Sequence, residues 1–258
     1  VKLAVSGKGG VGKTTLAGVM ARVIADNGHD VLAIDADPDA NLASAVGIPE
    51  RELEQIRPLA QMRELIEERT GAVKGAYGAY FKLNPRVDDL PERFSVAKGR
   101  VRLMLLGTIS QGGGGCFCPE NVLLKSLLAH LFIERDDYVI VDMEAGLEHL
   151  GRGTTGYMDG LIVVVEPGLR SFQTARQIKA LAEDLGIRRL FCVANKVTGE
   201  ADIAMVAEHL PDIPLLGHMS YNESVIDADK KGVSPYDTDP RIASEVAAIV
   251  AGLEEEHS

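Results

Sequence analysis

The chain has 258 residues, 46% of them apolar and 25% charged, and a formal charge of −11. These values fit one large domain with a sizeable core, and exclude collagen-like, coiled-coil and wholly disordered classes. The acidity argues against a surface devoted to nucleic acid, and no apolar run approaches the roughly 20 residues of a membrane span. Three cysteines are too few for a disulfide framework, and no leader-like segment precedes the first strand, so reduced thiols and a cytoplasmic location are expected.

Lys2–Ser6 is predicted as a short buried strand and Lys13–Asn27 as the helix after it. Between them Gly7, Lys8, Gly9, Gly10, Val11, Gly12, Lys13, Thr14 and Thr15 satisfy G-x-x-x-x-G-K-[ST] in the strand–loop–helix setting that a phosphate loop requires. The glycines let consecutive N–H groups converge on the phosphates of ATP or ADP, and the helix N-terminus adds its partial positive charge. Lys13 is expected on the β- and γ-phosphates and the Thr14 hydroxyl on Mg²⁺. Lys8 is a second lysine on a loop that already has its phosphate lysine. The KGGxGKT form resembles the deviant Walker A loop of the MinD/ParA/nitrogenase iron protein class of ATPases. That resemblance implies a homodimer in which Lys8 reaches the partner's nucleotide.

Asp30–Asp35, the second predicted strand, runs into Asp35-Ala36-Asp37-Pro38-Asp39-Ala40-Asn41. Carboxylates at the carboxyl end of a parallel strand face the ligand crevice, where they can hold metal-bound water or align the water that attacks a γ-phosphate. The D-x-D-P-D-x-N string resembles the first switch of the same class. By that resemblance Asp37 positions the attacking water and contacts Mg²⁺, directly or through water. Asn41 lies near metal-bound water, and Asp35 lies behind them.

From about residue 50 to 115 the strand–helix rhythm breaks. One amphipathic pattern, Leu59–Arg69, precedes an irregular Gly/Tyr/Pro-containing segment and a strand over Arg102–Leu106. The stretch reads as an insertion decorating a single domain of residues 1–258, and it leads into Gly112–Gly115 and the pair Cys116-Phe117-Cys118. In extended backbone, residues two apart point the same way, so both sulfurs can face one ion. Two thiolates are half of a four-thiolate site, and a two-fold dimer would supply the other half. Cys-x-Cys alone is a weak signal, and chance placement remains an alternative on spacing alone.

Beyond the pair, a helix is predicted over Glu120–Ile133 and a strand over Tyr138–Asp142, whose terminal carboxylate makes a Walker B arrangement with Asp142 holding Mg²⁺ through water. Met143–His149 occupies the second-switch position; His149 reads either as a ligand or relay or as a surface residue. Strands follow over Gly160–Glu166, Arg189–Asn195 and Pro214–Met219, with helices over Ser171–Leu185, Ala201–His209, Asn222–Lys231 and Pro240–Leu253. Continuous apolar runs such as YVIVD and GLIVVVE suit strands covered on both faces. The expected fold is therefore α/β, a mostly parallel sheet flanked by helices on both faces, of the P-loop NTPase type. Asn195, with Lys196 beside it, ends a buried strand with an amide able to pair with a base edge. Tyr221 and Asn222 resemble a further base-contacting loop of the class. Cys192 lies in an apolar run and reads as a packed thiol.

Chain-wide, VSGKGGVGKTT, IDADPDANL, MRELIEERTG, GGGGCFCPEN, VDMEAGLEHLGRGT and VVEP resemble the CooC-type ATPases that assist nickel insertion into carbon monoxide dehydrogenase. The resemblance implies Cys116 and Cys118 as ligands of nickel or zinc shared across the dimer, with carbon monoxide dehydrogenase as client. Neither nucleic acid nor membrane is implied as a partner. Three alternatives share the nucleotide core. A nitrogenase-like iron–sulfur reductase has a cysteine just after the Walker B aspartate, where this chain has DMEAGLEH. A MinD-like regulator ends in a basic amphipathic helix, whereas this sequence ends LEEEHS. A ParA-like partition ATPase needs a basic surface.

Overall fold

The computed structural model describes residues 1–37, 41–54, 56–72, 81–107, 118–147, 150 and 155–256. Eight strands form one sheet: β1 (Lys2–Gly7), β2 (Val31–Asp35), β3 (Ser95–Lys98), β4 (Val101–Leu105), β5 (Tyr138–Asp142), β6 (Gly160–Val165), β7 (Leu190–Val197) and β8 (Leu215–Ser220), in the order β3-β4-β2-β5-β1-β6-β7-β8. Every pairing is parallel except β3 with β4 at the edge. The expected fold class is what is found.

The described helices are α1 (Lys13–Asp26), α2 (Leu42–Val46), α3 (Glu50–Leu53), α4 (Arg63–Thr70), α5 (Leu90–Arg93), α6 (Pro119–Glu134), α7 (Leu169–Leu185), α8 (Glu200–His209), α9 (Glu223–Lys231), α10 (Pro235–Thr238) and α11 (Pro240–Glu255). The strands alternate their side chains between two cores. Val31 and Ala33 join α1, α2 and α11 on one face, while Leu32 and Ile34 join α4, α6, α7 and α8 on the other. Burial on both faces explains why the strands read as unbroken apolar runs. Among the described residues, no helix is long and apolar enough to cross a membrane.

Two expectations need correction. The stretch from residue 50 to 115 is more than decoration: β4 pairs with β2 inside the main sheet, and Leu59, Leu65, Ile66, Val87 and Leu90 are buried in the main core. The helix expected over Leu59–Arg69 is divided into a 3₁₀ turn, Leu59–Gln61, and α4, because Met62 takes a non-helical backbone (φ −85°, ψ 72°).

Strand order places the site. β1 is central, β5 and β6 flank it, and the chain winds outward in both directions from there. A crevice opens at the carboxyl ends on such a switch point, which is where residues 7–15 lie.

Candidate active site

The phosphate loop is built around a backbone that only glycine tolerates. Gly7 has φ +152°, and a Cβ there would meet the Val164 carbonyl oxygen at 2.5 Å. Gly12, the N-cap of α1, has φ +97°, and a Cβ there would meet Asn195 Nδ2 at 2.1 Å. Asn195 uses that closeness: Nδ2 donates to the Val11 carbonyl at 2.6 Å, while Oδ1 accepts the Lys196 N–H at 2.8 Å. The residue expected to read a base therefore also buttresses the loop; the amide retains a second hydrogen and a second lone pair. Lys196 Nζ donates to the Gly10 carbonyl at 2.8 Å and pairs with Glu166 at 2.9 Å.

Beside the loop, strand register sets three acidic residues against it. Asp35 of β2 lies level with Asp142 of β5. Asp35 accepts the Leu42 and Asp37 N–H groups at 2.9 and 3.2 Å, stapling the segment after β2 to its strand. Asp142 Oδ2 accepts the Thr14 hydroxyl at 2.6 Å. Lys13, almost wholly buried, brings Nζ to 3.6 Å from Asp37. Desolvation pushes the Asp142 carboxyl up to about 7 and Asp35 up to about 6, their mutual repulsion adding to Asp142. Asp142 Oδ1 is buried with no hydrogen-bond partner among the described residues. An orphaned carboxylate oxygen, a hydroxyl on its twin and a second buried carboxylate beside it fit the hard-oxygen donor set of Mg²⁺, whose charge would relieve this desolvation.

A cleft of about 750 Å³ runs from Gly9–Thr15 past Asn195 to Ser220, Tyr221 and Asn222. Its lining also includes the apolar Val225, Ile226, Val233, Pro235 and Ile242, with Asp229 among them, a mixed wall that suits a flat heterocycle. The structure thus brings Lys13, Thr14, Asp37, Asn41, Asn195, Lys196, Tyr221 and Asn222 around one cavity, with Asp142 beneath it against Thr14. Lys8, on the same loop, does not line the cleft, and its Nζ lies 4.0 Å from Glu166. Cys118 is the N-cap of α6 in extended backbone. Cys116 and His149 lie outside the described residues, as do Pro38, Asp39 and Ala40. Cys192 is wholly buried in the core, where desolvation pushes its thiol up to about 12.

Sequence reasoning missed the carboxylates that hold the Ser220–Asn222 part of the cleft wall. Glu245 of α11 accepts both the N–H (2.9 Å) and the hydroxyl (2.6 Å) of Ser220. Asp239, the N-cap of α11, accepts from Asn222 Nδ2 and, at 2.9 Å, from Ser224 Oγ. It missed Glu166 too, although the strand-end rule that singled out Asp35 and Asp142 applies to it equally.

The CobQ/CobB/MinD/ParA nucleotide binding domain family matches residues 2–236. The chain belongs to that family. It is 46% identical over 253 residues to the carbon monoxide dehydrogenase accessory protein CooC of Rhodospirillum rubrum, covering 98% of this chain and 96% of CooC. It is 43% identical to an ATP-binding protein of Methanocaldococcus jannaschii, covering 96% of each. The MinD cell division protein of Aquifex aeolicus superposes with a TM-score of 0.69 at 18% identity, over 99% of this chain and 97% of that one. As a family member with its phosphate loop intact, the chain is a nucleotide-binding ATPase.

Proposed function

We propose that this ATPase is an accessory factor for carbon monoxide dehydrogenase that pairs with a second copy around ATP and carries nickel, or zinc, between the Cys116 and Cys118 thiolates of the two chains. The observation that carries the reading is 46% identity to CooC over almost the full length of both proteins. Supporting it, Cys118 sits, only partly buried, at the N-terminus of the 16-residue α6, the end of a helix that favours an anion, with Glu120 in the same turn opposing.

In this reading the backbone of Gly9–Thr15 and the Lys13 ammonium bind the triphosphate, and Asn195, Lys196, Tyr221 and Asn222 position the base. Mg²⁺, when bound, would supply countercharge to the phosphates, with Thr14 and Asp142 as its holders, Asp142 through water. Asp37, beside Lys13, orients the attacking water toward the γ-phosphate. Lys8 reaches the partner's nucleotide, coupling occupancy to pairing. Pairing brings two Cys-x-Cys segments together as one tetrahedral site for the cargo ion.

Metal analysis of purified protein loaded with nickel, with and without a non-hydrolysable ATP analogue, tests this. One ion per two chains is expected, lost when Cys116→Ser is combined with Cys118→Ser. An unchanged tightly held ion in the double variant refutes the metal assignment. Lys8→Ala that pairs with nucleotide as the parent does refutes the cross-chain role.

A further inference from the structure

Glu166 follows β6 at the carboxyl edge of the sheet, and its backbone N–H donates to the buried Ser171 hydroxyl at 3.1 Å, tying it to the first turn of α7. Its half-exposed side chain faces two lysines at once. Oε2 lies 2.9 Å from Lys196 Nζ, and Oε1 lies 4.0 Å from Lys8 Nζ. Because Lys196 also donates to the Gly10 carbonyl, one carboxylate holds the loop at Lys8 and, through Lys196, at Gly10. Lys196 has φ +58°, the one positive value among the described non-glycine residues. Such a backbone persists where tertiary contacts over-determine it.

We propose that Glu166 is a positioning residue for Lys8, an intrachain carboxylate that holds the second loop lysine to its own chain until a partner's nucleotide phosphates compete for that ammonium. This rests on the cross-chain role of Lys8 given above. The exchange is one of ionic partners, with no bond made or broken: a carboxylate with a single charge yields the lysine to a polyphosphate with several. The lysine is half-exposed and the separation long, so the hold is weak enough to be reversible.

Sedimentation of the full chain with a non-hydrolysable ATP analogue gives the concentration at which half the chains are paired. Glu166→Gln should lower that concentration about fivefold, since a half-exposed ion pair is worth a factor of roughly two to five and two are broken per dimer. Glu166→Ala should do the same and carries the test if the first variant melts early. An unchanged or raised midpoint in both Glu166 variants overturns the proposal, as does easing of the same size when Glu166→Gln is made in a Lys8→Ala background, which would trace the effect to a loosened loop. Lys8→Ala separates the two levels. If it pairs like the parent, the cross-chain reading falls and the latch with it; if it fails to pair while the Glu166 variants match the parent, the latch alone falls.

Discussion

Two clusters of charge, one at the phosphate loop and one in the stretch before β3, obey opposite rules. At Arg69 of α4 the guanidinium grips both oxygens of Asp89 at 2.7 and 2.8 Å, and Arg93 adds a third bond at 2.9 Å. These bonds hold the Asp89 carboxyl well below the usual carboxylate range. At the loop, Asp35 and Asp142 face each other in burial, one oxygen of Asp142 has no partner among the described residues, and both carboxyls are pushed upward. The first cluster is charge-balanced by its own chain, with Arg69 Nε beside Glu68 at 3.3 Å but without a hydrogen bond among the described residues, and holds shape. The second is complete only with a ligand, and the fold pays for it in stability.

The largest separation between the clusters is in turnover. Lys13→Ala or Asp37→Ala should reduce ATP hydrolysis by about a thousandfold, since in the proposed function each is aimed at charge or water in the transition state. Asp89→Ala should leave hydrolysis within about threefold of the parent, because its partners lie outside the cleft. A steady-state phosphate-release assay compares the three; comparable losses at Asp89 would dissolve the distinction.

Stability should reverse the ranking. Asp142→Asn replaces a buried, half-satisfied carboxylate with a neutral isostere, and should raise stability in EDTA by about 2 kcal/mol at pH 8 while hydrolysis is lost. Asp89→Ala strips the near-buried Arg69 of its main partner, and should lower stability by about 2 kcal/mol at pH 7. Urea unfolding measures both. The pH dependence of the clasp follows from its sign. The native Asp89 carboxyl titrates below its unfolded value, so its contribution is complete above about pH 4 and disappears as pH falls through the native value. The gap between parent and Asp89→Asn should therefore be full at pH 7 and narrow steadily below pH 4. A gap that widens on acidification would mean another group holds Arg69.

The same contrast explains what could be read from the chain and what could not. The phosphate loop is contiguous, and its glycines and lysines have one chemistry that fits them all. Asp35 and Asp142 were legible because each closes an apolar run. Glu166 meets Lys8 across 158 positions of sequence, and Glu245 meets Ser220 only because α11 packs under β8, so neither pairing leaves a local pattern. β3 has four residues and α2 five, too short for a period to declare itself. The Leu59–Arg69 pattern carried the right apolar face but gave no sign of the break at Met62.

The smallest expected effect concerns the two described cysteines, which divide along the same line. Cys192 is packed in β7 between the strands β6 and β8, with its thiol pushed up to about 12, so at pH 8 it is protonated and shielded. Cys118 is only partly buried at the start of α6, where a reagent can reach it. Brief iodoacetamide treatment followed by peptide mass spectrometry should label Cys118 and spare Cys192 until urea opens the sheet. Nickel added beforehand should protect Cys118 and leave Cys192 as it was. Protection of Cys192 by nickel under partial denaturation, with Cys118 still labelled, would move the metal from the loop to the core and separate the sulfur chemistry from the helix N-terminus altogether.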